Sequence, residues 1–552
     1  MTAGPRSHCS SRPNCCDTEQ RAGGDGLVAI SAPVRPTVAR LRYRSAHAPR
    51  TLFAISTLVA AVLALPLVFL IVLTDHSGAT EVRQLLLRHL TAQLLWNTVR
   101  LTVVVTALCA VIGTATAWCI ERTNLPGRQL WAVLVVVPLA IPDFVVSFGW
   151  NSLSASVTGF RGAVLVMTLA VYPLVHLPVA ASLRNADPAQ EEMSRSLGVG
   201  RVRTFWRVTI GQARGAILGG CLLVSLVMLA EYGAFEILGY RTFTTEIFTE
   251  FHVFDLPGAC ALSLVLVVLS ILAVGSELRV RSRGQVAHTG QQAQRINRRH
   301  DLGRAKLPVV LGFLALIGLA VGVPVGASVY WMVVGRAPAI TGVSLVSAAG
   351  HTAMYAAAAG ALATLAALPV ALLSVRHPSR ITTLLERSTL LVLALPGIVV
   401  ALAVSYFVEH YASGYLYQTP ELLVVTYSIL FFPLALVAVR ASAVRAPAQL
   451  DDVARSLGRR RASVLVRVTM PLLAPGLAAG FCLVFLSVVT ELTATLILIP
   501  TGVQTLATQF WAYQQNLSYS QAAPFALLMM GIAAVPSLVL GRWFDRLPSQ
   551  RT

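Results

Sequence analysis

Charged residues are scarce in this sequence. Asp, Glu, Lys and Arg make up 12% of the 552 residues, whereas soluble domains carry roughly 25%. Hydrophobic residues make up 56%, the mean hydropathy is +0.70, and apolar runs of about 20 residues, each long enough to cross a bilayer core, recur along the chain. This excludes an ordinary soluble domain and predicts an all-α polytopic membrane protein, because a membrane β-barrel would alternate polar and apolar residues over segments of about 10.

The sequence has a single lysine and lacks two common nucleotide-binding and catalytic motifs. The only lysine is Lys306, which follows Ala305, so the Gly-Lys-Ser/Thr step of a phosphate-binding P-loop is absent. The His-Glu-x-x-His pattern of metalloproteases is absent too. We therefore expect no catalytic residues, no metal site and no enzyme. Cys9, Cys15 and Cys16 have no partner set at zinc-site spacing, which favours unligated thiols.

Twelve apolar spans can be drawn along the chain. The first 50 residues, polar and rich in Gly, Ser and Pro, are predicted to form a disordered cytoplasmic tail. Residues 279–306, rich in Arg, Gln and Gly, are predicted to be a basic cytoplasmic linker between two six-helix halves, 51–278 and 307–552. The predicted spans are 52–73, 95–119, 130–153, 162–183, 215–236, 260–278, 307–334, 350–375, 388–408, 421–443, 474–499 and 522–541.

The two halves are related by a duplication. A polar, arginine-rich island at 187–212 separates two spans of the first half, and a related island begins at Ala446 in the second. Agreement over this length in two polar segments indicates an internal repeat. At a spacing of 260 residues, Glu192 matches Asp452, Arg195-Ser196-Leu197-Gly198 matches Arg455-Ser456-Leu457-Gly458, and Arg207-Val208-Thr209 matches Arg467-Val468-Thr469.

Prolines inside the predicted spans match as well. Pro142 pairs with Pro396 at a spacing of 254, and Pro173 pairs with Pro433 at a spacing of 260. Proline removes one helix hydrogen bond, so matched prolines predict matched kinks.

The basic residues predict the orientation. An even number of spans in each half places both islands on one side and makes the repeat parallel, about an axis along the membrane normal. The same side also contains the N-terminal tail, the loops 120–129 and 376–387, the linker and the C-terminus, and it holds 37 of the 43 Lys and Arg residues. The positive-inside rule makes it the cytoplasmic side of a cell inner membrane. The formal charge of +19 is thereby explained, and a nucleic-acid-binding protein is disfavoured.

Each island is predicted to form a helix–turn–helix. In the first, Asp187-Pro188 is a good helix start, and the helix ends at Gly198, where a left-handed conformation costs little. A second short helix is expected to carry Trp206 and Val208. An acid, a protruding Leu and a ring of Arg suit docking into a groove of a soluble partner. An amphipathic loop lying on lipid headgroups is the alternative, although it does not explain the repeated spacing.

The islands resemble the EAA loop of ABC-importer permeases, which has an acid, two small residues, three more positions and Gly, and ends in Leu-Pro. The second copy ends in Met470-Pro471, whereas the first ends in Ile210-Gly211. In that family the loop is the coupling helix that inserts into the ATPase subunit. The resemblance covers nearly all of the chain after the tail and implies the type I importer permease fold. The implied coupling residues are Glu192, Leu197, Gly198, Asp452, Leu457 and Gly458.

The same resemblance implies partners. Two copies of an ATPase subunit and an extracytoplasmic solute-binding protein would assemble with this chain in the lipid membrane. The chain itself would bind no cofactor, because ATP and Mg would be bound and hydrolysed by the ATPase.

The length of the chain narrows the substrate. A double-length permease in one chain resembles the ferric-iron importers, and the segments YRTFTTEIF from Tyr240 and TGVQTLATQFWAY from Thr501 support this resemblance. The same layout serves importers of thiamine, aminoethylphosphonate, sulfate and polyamines, so these substrates stay open. A secondary transporter with two parallel six-helix repeats is the alternative from another class, but it gives no reason for two matched docking loops.

Two acids inside predicted spans indicate a pathway. Glu231 and Glu491 match at a spacing of 260 in spans five and eleven. A charge in hydrocarbon costs at least roughly 2.5 kcal/mol, so such residues face a cavity or a partner. They are predicted to line the translocation pathway together with Tyr232 and Thr490. The alternative is a structural carboxylate that bonds to a neighbouring span or lies near the outer interface of the membrane.

Overall fold

A computed structural model describes residues 49–546, apart from 77–82, 86, 185, 187, 254, 283–299, 336–341, 391, 393–394, 412–414 and 447. The predicted N-terminal tail with its three cysteines and most of the predicted linker lie outside the described residues. Within them the chain is helical, and the β-type pairing is one isolated bridge between Thr123 and His300.

The helices follow one another closely. In the first half they are α1 (Arg50–His76), α2 (His89–Arg122), α3 (Arg128–Leu134), α4 (Asp143–Leu153), α5 (Gly159–Val171), α6 (Pro173–Arg184), α7 (Pro188–Ser196), α8 (Arg201–Thr204), α9 (Ile210–Ala230), α10 (Gly233–Ile237), α11 (Phe243–His252) and α12 (Leu256–Ser282). In the second half they are α13 (Lys306–Ile317), α14 (Val323–Val334), α15 (Gly342–Arg376), α16 (Arg380–Leu390), α17 (Gly397–Tyr411), α18 (Pro420–Arg445), α19 (Ala448–Ser456), α20 (Arg461–Val464), α21 (Met470–Val489), α22 (Thr493–Leu498), α23 (Leu506–Gln515) and α24 (Tyr519–Arg546).

Among the described residues, ten helical segments are long and apolar enough to cross a membrane. An eleventh span is the pair α3 and α4, which is bent by 89°, and α17 is a shorter apolar helix at the position of the predicted ninth span. These twelve segments correspond one for one to the predicted spans. The ten are Arg50–Val72, His89–Arg122, Gly159–Arg184, Val202–Ala230, Leu256–Ser276, Gly303–Val334, Ser344–Arg376, Pro420–Arg445, Leu465–Val489 and Tyr519–Pro536.

The first pair of matched prolines interrupts the helix in both halves. The bend of 89° falls just before α4, at Pro142, and α17 begins directly after Pro396. The second pair behaves differently. The chain breaks between α5 and α6 just before Pro173, whereas α18 runs through Pro433 without interruption, so matched kinks at these two prolines stay a prediction. Phe432 and Pro433 are buried, and neighbouring helices can stabilise a helix that has lost a hydrogen bond at a proline.

The hydrophobic cores cross the boundary between the two sequence halves. One core joins α15, α17, α18 and α21 of the second half to α1 and α12 of the first. The other joins α2, α4, α5, α6 and α9 of the first half to α13 and α24 of the second. Phe69 of α1 packs on Phe407 of α17, with ring centroids 4.8 Å apart. Each half therefore contributes its first and last spans to the core of the other.

Matched hydrogen bonds fix the segments that follow α10 and α22. The Phe243 amide donates to Oγ1 of Thr98 over 3.2 Å, and the Leu506 amide donates to Oγ1 of Thr352 over 2.9 Å. The same side chain in span two and in span eight thus holds the start of α11 and of α23. The two halves therefore repeat each other in conformation as well as in sequence.

Candidate functional site

The two islands contain matched helices that end at a glycine. α7 and α19 each have nine residues, and they are followed by Gly198 at φ +76° and Gly458 at φ +79°. A Cβ on either glycine would meet nothing within 4 Å, so glycine is needed there for its backbone conformation and not for packing. The predicted helix end at Gly198 agrees with the structure. The predicted start at Asp187 lies outside the described residues.

The outward face of each loop presents an apolar side chain beside charge. Leu197 and Leu457 are both 76% exposed, and each follows directly after its helix. Glu192 is exposed, whereas Asp452 is half-buried and pairs with Arg455 of the same helix. A protruding leucine flanked by charged groups at the tip of a short helix can insert into a groove of another protein.

The expected second short helix is not a separate element. α8 continues through a π-helical turn, Phe205–Thr209, into α9, and the second half repeats this with α20, Leu465–Thr469 and α21. Trp206 and Val208 therefore lie in the first turns of a spanning helix. No Gly or Pro separates Arg201 from Ile210, so nothing in the sequence ends the helix before the span begins.

Sequence reasoning missed two buried carboxylates on these loops. Glu191 and Asp451, each one residue before the predicted acid, are buried. Glu191 lies 3.6 Å from Arg122, and Asp451 pairs with Arg376. The signal was present in the sequence, because the acids match at a spacing of 260 and the arginines at 254.

The end of the linker packs beside the first loop. The amide of His300 donates to the carbonyl of Arg122 over 2.8 Å, and Asn124 Nδ2 donates to Asp301 Oδ1 over 2.6 Å. Hydrogen bonds from Asn124 and from the Gly303 amide, together with Lys306, lower the pKa of Asp301. His300 Nε2 lies 3.9 Å from Oε2 of Glu191. The first loop therefore rests on a segment that leads into the second half.

The predicted pathway acids lie just beyond the ends of their spanning helices. Glu231 follows α9 and Glu491 follows α21 after one residue. Oε1 of Glu231 accepts the amide of Ala234 over 2.7 Å, and Oε1 of Glu491 accepts the amide of Ala494 over 3.0 Å. Each carboxylate thereby satisfies a backbone donor at the start of a short helix, α10 or α22. One of its two oxygens is engaged in this structural contact.

The other two predicted pathway residues make contacts within the protein. Tyr232 is buried and lies between Phe248 and Trp511, with ring centroids 4.3 Å and 5.6 Å from its own. Trp511 belongs to the second half, so Tyr232 is part of the contact between the halves. The Thr490 hydroxyl lies within hydrogen-bonding distance of carbonyls of its own helix.

The breaks that carry these acids lie against each other and against the start of α4. A Cβ on Gly233 would lie 2.8 Å from Cδ2 of Leu492 and 3.0 Å from Cβ of Phe144. Asp143, which sequence reasoning did not single out, begins α4 immediately before Phe144. In the described part of the chain, no three His, Cys, Asp or Glu side chains are arranged to hold a metal ion.

A helical chain of two repeats that cross-pack in the membrane, each with a glycine-closed loop helix, defines a transport permease. The chain belongs to the family of binding-protein-dependent transport system inner membrane components, whose model matches residues 109–282 and 360–552, once in each half. It is the permease component of an ABC importer and a multi-pass protein of the inner membrane. This is a family of transport proteins and not of enzymes.

Individual relatives indicate which type of permease the chain is similar to. The Fe(3+)-transport system permease protein FbpB 2 of Haemophilus influenzae is 36% identical over 490 residues, which cover 88% of this chain and 97% of that protein. The sulfate transport system permease protein CysT of Salmonella typhimurium is 30% identical over 195 residues, 31% of this chain and 70% of that protein. CysW of Synechocystis is 29% identical over 202 residues, 32% of this chain and 72% of that protein. Similarity over the whole length is thus to a double-length permease.

Proposed function

We propose that this chain forms the substrate pathway of a ferric-iron importer and docks two ATPase subunits, one on α7 and one on α19. The observation that carries the docking is the pair of equally exposed leucines, Leu197 and Leu457, each held beside a glycine in the same left-handed conformation. Two identical protrusions 260 residues apart fit a partner that is present in two copies.

Because the two halves share their hydrophobic cores, docking of the ATPase subunits can move both halves. Closure of the ATPase dimer on ATP and Mg draws α7 and α19 together on the cytoplasmic side. Each loop continues through α8 or α20 into a spanning helix, α9 or α21, that ends just before Glu231 or Glu491. The two halves then rock about their interface and open outward, where an extracytoplasmic binding protein delivers its load, and hydrolysis resets them.

Ferric iron is the cargo that the full-length likeness supports, since the iron permease matches 88% of the chain and the two sulfate permeases match about a third of it. Carboxylate oxygens suit hard cations. A carboxyl group has a second oxygen beyond the one that caps a helix, so Glu231 and Glu491 can each offer a further oxygen to a passing cation.

Co-purification tests the docking. The tagged chain is expected to bring down its ATPase subunit, and a Gly198→Asp, Gly458→Asp variant to lose it while still inserting in the membrane. Gly239→Asp, Gly502→Asp is the control, because both glycines are also left-handed and have nothing within 4 Å of a Cβ but lie outside the loops. Loss of the complex in neither variant, or in both, would contradict docking at the loops.

Uptake into proteoliposomes tests the cargo. With the ATPase and a loaded binding protein, ATP-dependent entry of ferric iron is expected, and sulfate is not expected to enter. Entry of sulfate without iron would overturn the iron assignment and leave the importer class intact.

A further inference from the structure

The buried side of the first loop helix is tied to two spanning helices at once. Oε1 of Glu191 accepts a hydrogen bond from the Thr209 hydroxyl over 2.9 Å and lies 3.6 Å from Nη2 of Arg122. Arg122 is the last residue of α2, and Thr209 immediately precedes α9. One carboxylate on α7 therefore joins the loop ends of spans two and five.

The second loop repeats the arrangement. Asp451 of α19 pairs with Arg376, the last residue of α15, and its Oδ1 accepts the Thr469 hydroxyl over 3.1 Å. Thr469 immediately precedes α21. The arginine, acid and threonine of the two clusters match at spacings of 254, 260 and 260 residues, so the same three roles occur at the same places of both halves.

Burial raises the free-energy cost of separating these acids from their arginines. The side chain of Arg122 is 2% exposed and that of Glu191 is 7% exposed, and separating a buried ion pair leaves an uncompensated charge. α7 therefore cannot move away from the end of α2 without a large cost. Arg195 and His300 also lie within 4 Å of Glu191, which holds this carboxylate from the other side.

The spans that are tied together are also closely packed. A Cβ on Gly113 of α2 would lie 2.8 Å from Cβ of Val175, and a Cβ on Gly220 of α9 would lie 2.7 Å from Cα of the same valine. α2 and α9 thus both close onto α6. A displacement of α7 would therefore act on this group of packed helices together, and α9 ends at Ala230, immediately before Glu231.

We infer that Glu191 and Asp451 are positioning residues that transmit movement of the docked ATPase subunits to spans two and five and to spans eight and eleven. Neighbouring Leu197 and Leu457 make the contact with the partner, and the buried acids carry the movement onward. The inference rests on the proposed docking function and adds a separate prediction, that docking and transmission use different residues of the same loop.

Three readouts on the reconstituted complex separate these roles: assembly with the ATPase, the ATP hydrolysis rate, and iron taken up per ATP hydrolysed. The Glu191→Gln, Asp451→Asn variant is expected to assemble and hydrolyse ATP, with uptake per ATP reduced roughly tenfold, a size typical of residues that carry coupling between sites. The exchange Glu191→Asp, Asp451→Glu keeps both charges and is expected to recover most of the ratio. Glu386→Gln, which removes a buried partner of Arg440 outside the loops, is expected to leave the ratio unchanged.

Two results would overturn the inference: an unchanged uptake per ATP in the Gln/Asn variant, or failure of that variant to assemble, which would make the acids part of the docking surface or of the fold. Hydrogen exchange of the chain without ATPase gives an independent check. Hydrogen exchange in α19 is expected to be faster in Asp451→Asn and not in Glu386→Gln. Unchanged exchange in Asp451→Asn would show that Asp451 does not anchor α19. Failure of the wild type to assemble would instead count against the proposed function, whatever the exchange result.

Discussion

A Cβ atom placed on Gly397 would lie 2.9 Å from Oε1 of Glu491. Gly397 stands 254 residues after Asp143, and both follow a matched proline. The second half therefore carries a glycine where the first carries a carboxylate, and Glu491 occupies the space that a side chain at 397 would need. The two halves repeat the same backbone but differ in chemistry at this matched position.

This difference predicts the effect of restoring the missing acid. Gly397→Asp places a second carboxylate against Glu491, where both steric overlap and like charge oppose it. We expect a loss of stability of about 1–3 kcal/mol and strongly reduced uptake, measured by thermal unfolding in detergent and by transport in proteoliposomes. Adding Glu491→Ala to Gly397→Asp returns the space and is expected to recover stability. A single variant as stable and active as the wild type would contradict this account.

Two neighbouring glycines of α9 predict opposite outcomes. A Cβ on Gly220 would lie 2.7 Å from Cα of Val175, whereas a Cβ on Gly219 would meet nothing within 4 Å. Gly220→Leu is expected to lower stability by about 1–3 kcal/mol or more through forced separation of α9 from α6. Gly219→Leu is expected to be neutral or slightly stabilising, because glycine costs roughly 0.5–1 kcal/mol within a helix. Equal melting temperatures for the two variants would show that α6 and α9 do not pack as described.

The contact between the linker end and the first loop predicts a local effect. Asp301 accepts hydrogen bonds from Asn124 and from the Gly303 amide, which lower its pKa. The ionised form thus holds the contact, which persists above the ordinary carboxyl pKa of 3.8 and is lost as the pH falls through the lowered value. At neutral pH, Asp301→Ala is expected to speed hydrogen exchange at residues 300–303. Unchanged exchange there would mean that Asp301 does not secure the segment.

Local chemistry explains what could be predicted from the sequence. The end of α7 at Gly198 and the breaks at Pro142 and Pro396 followed from residues with strong local backbone preferences. Tertiary packing decided the rest. Pro433 lies within the continuous helix α18, where it is buried, and the exchange of spans between the two cores has no local sequence signal.

The candidate site divides in the same way. The exposed positions Leu197 and Leu457 stood out because they belong to a repeated motif. Glu191 and Asp451 were overlooked because the resemblance assigns the coupling role to the other acid of each adjacent pair, Glu192 or Asp452. The repeat spacing alone could not decide which of two adjacent acids is buried, since that depends on how α7 and α19 are rotated against Arg122 and Arg376.

The central claim is that both loops contact an ATPase subunit, and photo-crosslinking tests it most directly. A photoreactive residue is placed at Leu197, at Leu457 and, as a control, at Leu517, which is exposed to a similar degree in the turn between α23 and α24. Crosslinks to the ATPase are expected from positions 197 and 457 and not from 517. Crosslinks from neither loop, in any nucleotide state, would contradict the account. A crosslink from only one would show that the two loops do not serve as equivalent docking sites.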